Sequence, residues 1–118
     1  MHMMESTAVE PEVAARLMRQ YHEGRRRGRV VDVLDVFATD AVLEDERGRL
    51  HRGIKEIAAT FARERKPVPL EVLSVHPDGA GMTATVRVSK AKDARTLRET
   101  FGFARGRVRS LRIEPVIS

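Results

Sequence analysis

The sequence predicts one α+β domain in which three amphipathic helices pack on a strongly curved antiparallel sheet. Apolar residues recur with the helical period in three separate segments before residue 62. After the proline-containing segment 65–69 the period changes to two, which indicates strands with one buried and one wet face. Helices followed by a run of strands are typical of an α+β arrangement.

The length of 118 residues corresponds to one domain, and a hydrophobic content of 42% is enough for a core. We interpret residues 1–9 as a disordered leader or start-site remnant and residues 10–118 as the domain. The sequence contains no apolar run of the length that spans a membrane, and its N-terminus lacks the apolar region of a signal peptide. We therefore expect a cytoplasmic protein.

The net charge of +5 raises the question of nucleic-acid binding. One dense basic cluster occupies residues 24–29, and the other arginines are dispersed among acids. The chain has one Tyr, four Phe and no Trp, so few rings are available to stack on bases. A solvated turn between two helices explains the cluster better, and nucleic-acid binding is a minor alternative.

The absence of cysteine excludes disulfides, thiolate nucleophiles and Cys-ligated zinc. The four histidines, at positions 2, 22, 51 and 76, lack the spacing of metal ligands, so we predict no metal. The sequence also lacks a phosphate-binding glycine loop and a nucleophile elbow, and we predict no cofactor.

The first predicted helix begins near Pro11, a residue suited to the first helical position. Gly24 predicts its end. Its apolar stripe follows the helical spacing and comprises Val13, Leu17 and Tyr21, with Ala14 and Met18 alongside.

The second predicted helix covers about residues 29–38, with Val30, Val33, Leu34 and Phe37 on one face. A short strand at residues 41–45 follows, then a turn at 46–49 and a strand stub at residues 50–51. The third helix starts after Gly53 and repeats the period at Ile54, Ile57, Ala58 and Phe61. Residues 65–69 form a stiff linker that ends it.

Four longer strands are predicted at residues 70–76, 81–89, 95–104 and 107–114. In the third of these, Glu99 shares one face with Leu97, Phe101 and Phe103, so regular pairing directs its side chain to the interior. A buried carboxylate must be neutralised, paired or functional. A register shift that exposes Glu99, or an ion pair with Arg87 or Arg112, would explain it without function.

Three segments, at residues 32–45, 51–57 and 101–108, resemble the NTF2-like superfamily in their order and spacing. The likeness covers roughly residues 10–115 and is closest to the ketosteroid-isomerase and SnoaL-like group. The resemblance implies a cone, in which a strongly curved sheet is closed by helices around a pocket for a small hydrophobic ligand. It also implies a homodimer that associates through the sheet.

The resemblance further implies three catalytic residues. Asp45 matches the proton-shuttling base, and Tyr21, 24 residues earlier, matches a donor to the substrate oxygen. Glu99 matches a second, protonated donor, although those isomerases have Asp there. The extra methylene of Glu moves the carboxyl by roughly 1.5 Å. This matters because a hydrogen-bond donor to the substrate oxygen must be positioned accurately. The expected pocket-lining residues are Phe37, Phe61, Phe101, Met82, Val86 and His51.

The leading hypothesis is a cofactor-independent isomerase or cyclase that transfers a proton in a small apolar carbonyl compound. The alternative is a non-catalytic small-molecule-binding or dimerisation module of the same fold. In that case Asp45 is an ordinary turn acid, Tyr21 is a core tyrosine, and Glu99 is paired or exposed. A reading as an epoxide hydrolase needs two acids around one arginine, and the sequence does not indicate such a set.

Overall fold

The computed structural model describes residues 10–63, 66–90 and 93–117. The predicted leader at residues 1–9 and residue 65 of the predicted linker lie outside the described residues. The elements follow in the order α1 (Pro11–Arg27), α2 (Val30–Leu34), β1 (Phe37–Glu44), β2 (Leu50–Arg52), α3 (Gly53–Ala62), β3 (Leu70–Asp78), β4 (Gly81–Lys90), β5 (Asp93–Ala104) and β6 (Arg107–Pro115).

The six strands form one open, curved sheet in the order β2-β1-β6-β5-β4-β3. Register shifts in the β1–β6, β3–β4 and β5–β6 pairs mark bulges, which bend and twist a strand. The prediction of an entirely antiparallel sheet is wrong for one pair, because β1 and β6 run parallel. α3 and β3 to β5 lie between these two strands in the sequence, so the chain returns by the long connection that parallel strands need.

The first helix extends beyond its predicted end at Gly24. It continues to Arg27, and Gly28 terminates it in the left-handed conformation, with φ of 70°. Gly24 is buried against α2 instead: a Cβ atom at this position would lie 2.8 Å from Cγ2 of Val33. Glycine at position 24 therefore allows the two helices to approach closely.

The second helix is shorter than predicted, and β1 begins earlier. Helical structure ends at Leu34, and Phe37 already pairs with Val108 of β6. The backbone N–H of Val108 donates to the carbonyl of Val36 at 2.8 Å. Pairing with this distant strand overrides the local helical pattern. The predicted strand at residues 41–45 thus becomes the second half of β1 and ends at Glu44, which leaves Asp45 in the following turn.

The remaining predicted elements are confirmed within a few residues. β2 pairs with β1 as the predicted stub, α3 begins at Gly53, and β3 to β6 lie at the four predicted strands. The apolar core consists mainly of buried residues from all three helices and from β1 and β3 to β6. In the described part of the chain, no helix is long and apolar enough to cross a membrane.

Candidate functional site

A buried pair, His22 and Glu99, joins α1 to β5. Glu99 alternates with exposed Arg98 and half-buried Thr100 along β5, and only 1% of its surface is exposed. The prediction that Glu99 points inward is confirmed. Its partner is His22, whose Nε2 lies 2.6 Å from Oε1 of Glu99, and which is itself 4% exposed. Neither of the two arginines considered from the sequence is the partner.

His22 is not among the site residues predicted from the sequence, because it stands beside the charged residues at positions 23 and 25. The helical spacing does indicate that His22 is buried. It lies four residues after Met18 and eight after Ala14, so it continues a buried stripe of α1. A polar side chain at an apolar position of a helix needs a partner in the core.

The geometry fixes the imidazole of His22 in one orientation. Its ring meets the rings of Tyr21 and Phe101 edge-on, at centroid distances of 5.4 and 6.1 Å. Nε2 is engaged by Glu99, whereas Nδ1 receives no hydrogen bond from any residue that the structure describes. The pair can therefore hold one proton between Nε2 and the carboxylate, and no described residue donates to Nδ1.

His22 also lines a groove of about 320 Å³ between α1 and β3. This volume lies at the lower end of the range of about 300–1,000 Å³ for small-molecule sites. The groove combines apolar and charged side chains, and is lined by Ala15, Met18, Arg19, His22, Glu23, Arg26, Val72 and Val75. It can hold a small ligand with an apolar body against an imidazole that a carboxylate supports.

Tyr21 lies fully buried in the centre of the core. Its ring is edge-on to those of Phe37, Phe61 and Phe101, with centroids 5.6–6.1 Å apart. Its hydroxyl accepts a hydrogen bond of 3.0 Å from Nη1 of Arg25. Side chains thus occupy the space around Tyr21, where the family resemblance implies a ligand.

None of the six residues predicted to line the pocket lines this groove. Phe37, Phe61, Phe101 and Val86 are buried in the core, and Met82 packs partly buried against it. Phe61 borders a second cavity, of about 10 Å³, which is the size of a single water site.

Asp45 lies just after β1 and organises the turn that leads to β2. Its Oδ1 accepts hydrogen bonds from the backbone N–H groups of Arg47 (2.9 Å) and Arg49 (3.0 Å). Its Oδ2 lies 2.9 Å from Nε2 of His51, and the two side chains are 25% and 21% exposed. Thr60 of α3 completes the chain, with Oγ1 at 3.1 Å from Nδ1 of His51.

These contacts lower the pKa of Asp45 below its ordinary value of 3.8. Partial burial acts in the opposite direction and raises the pKa. The hydrogen bonds from His51, Arg49 and Arg47 and the charge of His51 together outweigh that effect. Asp45 is therefore an ionised hydrogen-bond acceptor, and a weaker base than an ordinary aspartate.

The structure brings Tyr21 and Glu99 together, because both contact His22 and lie beside Phe101. Asp45 belongs to the separate cluster with His51. In the sheet register, Glu44 lies opposite Arg112, and Glu99 opposite Ile113. Asp45, one residue beyond Glu44, is thus about two strand spacings from Glu99, or roughly 10 Å. Among the described residues, no hydrogen bond joins Asp45 to Tyr21 or Glu99.

Within residues 10–63, 66–90 and 93–117, no group of three or more His, Cys, Asp or Glu side chains could hold a metal ion.

The sequence matches no protein-family model and no curated protein. Solved structures do match. A protein from Sinorhizobium meliloti, proposed to be a polyketide cyclase, is 26% identical, with a TM-score of 0.73 over 83% of this chain and 93% of that chain. An NTF2-like protein of unknown function from Mesorhizobium loti has a TM-score of 0.80 at 14% identity, over 98% of both chains.

This protein has the NTF2-like fold. The expected resemblance to that superfamily is confirmed. A protein from Kribbella flavida, proposed to be a ketosteroid isomerase, is also similar in structure, with a TM-score of 0.77 at 14% identity. The match covers 91% of this chain and 80% of that one. Because a fold does not by itself determine a function, the chemistry of this chain has to be argued from its own residues.

Proposed function

We propose that this NTF2-like protein is a cofactor-independent enzyme of the isomerase or cyclase type, which transfers a proton in a small, largely apolar carbonyl compound. The observation that carries the proposal is the 2.6 Å contact between His22 and buried Glu99 beside the groove. The similarity to proteins proposed to be a polyketide cyclase and a ketosteroid isomerase supports the reaction class.

In the proposed reaction, His22 is the base and Glu99 positions it. The carboxylate of Glu99 holds the proton on Nε2, which leaves Nδ1 unprotonated and able to accept a proton. Nδ1 removes a proton from the carbon next to the ligand carbonyl, and the electron pair of that C–H bond moves into the enolate. His22 then returns the proton to another carbon, or to the product after ring closure.

Charge in the site suits this reaction. The imidazolium that forms on His22 lies next to the Glu99 carboxylate, which stabilises it in a water-poor environment. The enolate gains negative charge, which the imidazolium of His22 offsets.

The resemblance to ketosteroid isomerase implies a different base, Asp45, with Tyr21 and protonated Glu99 as donors. The spacing of these residues supports that assignment. Against it, the hydrogen bonds to Asp45 lower its pKa and weaken it as a base. Glu99 also shares its carboxyl with His22. We therefore assign the base to His22 and treat Asp45 as the rival within the same reaction class.

A non-catalytic small-molecule binder is the second candidate function. The packing of four aromatic rings around the centre of the core favours it, because little room remains there for a ligand. In this case the His22–Glu99 pair is structural, and the groove binds a ligand without changing it.

Proton exchange separates these candidates. A panel of enolisable ketones, including 3-benzoylpropionate and its methyl ester, is incubated in D2O, and loss of the α-proton signal is followed by NMR. We expect the protein to accelerate exchange, and His22→Gln and Glu99→Gln to reduce the acceleration by about a hundredfold or more. Arg16→Gln, at an exposed position on the same helix, is the matched control.

The two candidate bases and the non-catalytic alternative predict different results in this experiment. Loss of exchange in Asp45→Asn with normal exchange in His22→Gln assigns the base to Asp45 and contradicts our proposal. Binding of panel members without accelerated exchange identifies a non-catalytic binder. Circular dichroism of each variant shows whether a lost activity reflects a lost fold.

The proposal includes the cone shape and the homodimer through the sheet that the family resemblance implies. A six-stranded sheet that is open at both edges is compatible with association of two copies. Sedimentation velocity over a range of protein concentrations tests the dimer, and a monomer throughout that range contradicts it.

A further inference from the structure

The groove is lined by one arginine, Arg19, that forms no hydrogen bond or ion pair within the described part of the chain. Arg26 bonds to Glu23 and donates from Nε to the carbonyl of Leu70 at 3.2 Å. Glu23 also lies 3.8 Å from Arg27. Arg19 lines the same groove and has no hydrogen bond or ion pair to any described residue. Glu23, the acid one helical turn after Arg19, is thus already shared by two other arginines.

The position of Arg19 relative to His22 limits what it can bind. The two residues are i and i+3 on α1, so their Cβ atoms lie roughly 5–6 Å apart on one face of the helix. A ligand whose reactive carbon meets His22 therefore places a group a few bonds away at Arg19. Met18, Val72 and Val75 line the rest of the groove with apolar surface.

We propose that the groove binds an organic acid with an apolar body, and that Arg19 recognises its carboxylate. This inference rests on the proposed site and narrows its substrate class to small apolar oxo-carboxylic acids. The planar guanidinium can take a carboxylate with two parallel N–H···O bonds. Because Arg19 is exposed, the pair is screened by water and ions, and binding weakens as salt increases.

The test compares two probes of nearly the same shape, the anion 4-phenylbutyrate and the neutral 4-phenylbutyramide, and neither requires a reaction. Calorimetry or NMR titration measures both dissociation constants at low and high salt. We expect the acid to bind about tenfold more tightly than the amide, a ratio at the lower end of what hydrogen bonds to charged groups contribute to binding. The difference in affinity should shrink in high salt. Arg19→Gln removes the preference, because it weakens binding of the acid much more than binding of the amide.

Arg16→Gln is the matched control, since it removes the same charge from an exposed position of α1 outside the groove lining. It should retain the preference for the acid. Equal affinities of the two probes, no binding of either, or a preference that survives in Arg19→Gln each overturns the inference. So does an equal loss in Arg16→Gln, because the effect then reflects overall charge.

Failure of the proposed carboxylate site can be distinguished from failure of the proposed reaction. Preference for the acid without proton exchange leaves the carboxylate site and removes only catalysis. Exchange that depends on His22, without preference for the acid, leaves the reaction and removes only the carboxylate site.

Discussion

Nε2 of His22 lies 2.6 Å from Oε1 of Glu99, and the contact joins residues 77 positions apart in the chain. Both side chains are almost wholly removed from water. Burying a polar pair costs desolvation energy that a short hydrogen bond only partly offsets. Removal of one partner leaves the other buried and alone, which is more costly than removal of both. The pair is therefore suited to a double-mutant cycle.

We expect His22→Leu and Glu99→Leu each to lower the free energy of unfolding by about 3–5 kcal/mol, because each leaves one buried polar partner unpaired. The double variant should lose less than the sum of the two. Urea unfolding measures all four proteins. The surface pair of exposed Arg112 and half-buried Glu44, 3.5 Å apart, serves as the control, and Arg112→Gln should change stability by about 0.5 kcal/mol or less. Strictly additive losses at His22 and Glu99 would show that the contact contributes no coupling.

The turn acid Asp45 should contribute pH-dependent stability. Its pKa in the folded protein is lowered from 3.8, so the contribution is fully present above 3.8 and is lost as the pH falls through the lowered pKa. At neutral pH we expect Asp45→Asn to reduce stability by about 1 kcal/mol through its weakened hydrogen bonds.

The measurement is the difference in urea midpoint between the parent protein and Asp45→Asn, from pH 7 down to pH 3. Taking the difference cancels the titration of the other carboxylates. The prediction is contradicted by a difference that stays constant across this range.

Gly24 should resist replacement although it lies inside a helix. Alanine is normally the better helix former by about 1 kcal/mol. A Cβ atom here would lie 2.8 Å from Cγ2 of Val33 and 3.2 Å from its backbone nitrogen. We expect Gly24→Ala to destabilise the protein by about 1–3 kcal/mol through overpacking. Thermal unfolding checks this, and the loss should be smaller in a Val33→Ala background. A more stable Gly24→Ala protein would refute the close helix contact.

Tyr21 tests the rival assignment of the catalytic groups. Tyr21→Phe removes the hydrogen bond from Arg25 and should cost no more than about 1.5 kcal/mol, whereas Tyr21→Ala should cost about 3–5 kcal/mol. If the hydroxyl stabilised an enolate, Tyr21→Phe would also slow proton exchange by about a hundredfold or more. We expect unchanged exchange by NMR, because our proposal gives the hydroxyl no role in the reaction.

Much of this fold could be predicted from the sequence because periodicity is local. The stripe of α1, the onset of α3 at Gly53 and the alternation along β5 all follow from side-chain spacing within one element. The inward direction of Glu99 follows in the same way, since its neighbours at positions 97, 101 and 103 are apolar.

Interactions between distant segments determined the features of the fold that the sequence did not predict. α2 ends early because Phe37 pairs with Val108 of β6, a partner that no local pattern indicates. Gly24, which by itself predicts a helix end, instead provides the space into which Val33 packs.

For the candidate site, too, the sequence determined some features and the tertiary structure determined others. The sequence by itself determined that Glu99 shares one face of its strand with apolar residues, because alternation is local, and it left open whether a register shift exposes that carboxylate. Only the tertiary structure decided that its partner is His22 and that Asp45 belongs to a separate cluster with His51. The physical reason is that a hydrogen-bond partner, and the pKa that depends on it, is set by distances across the folded chain.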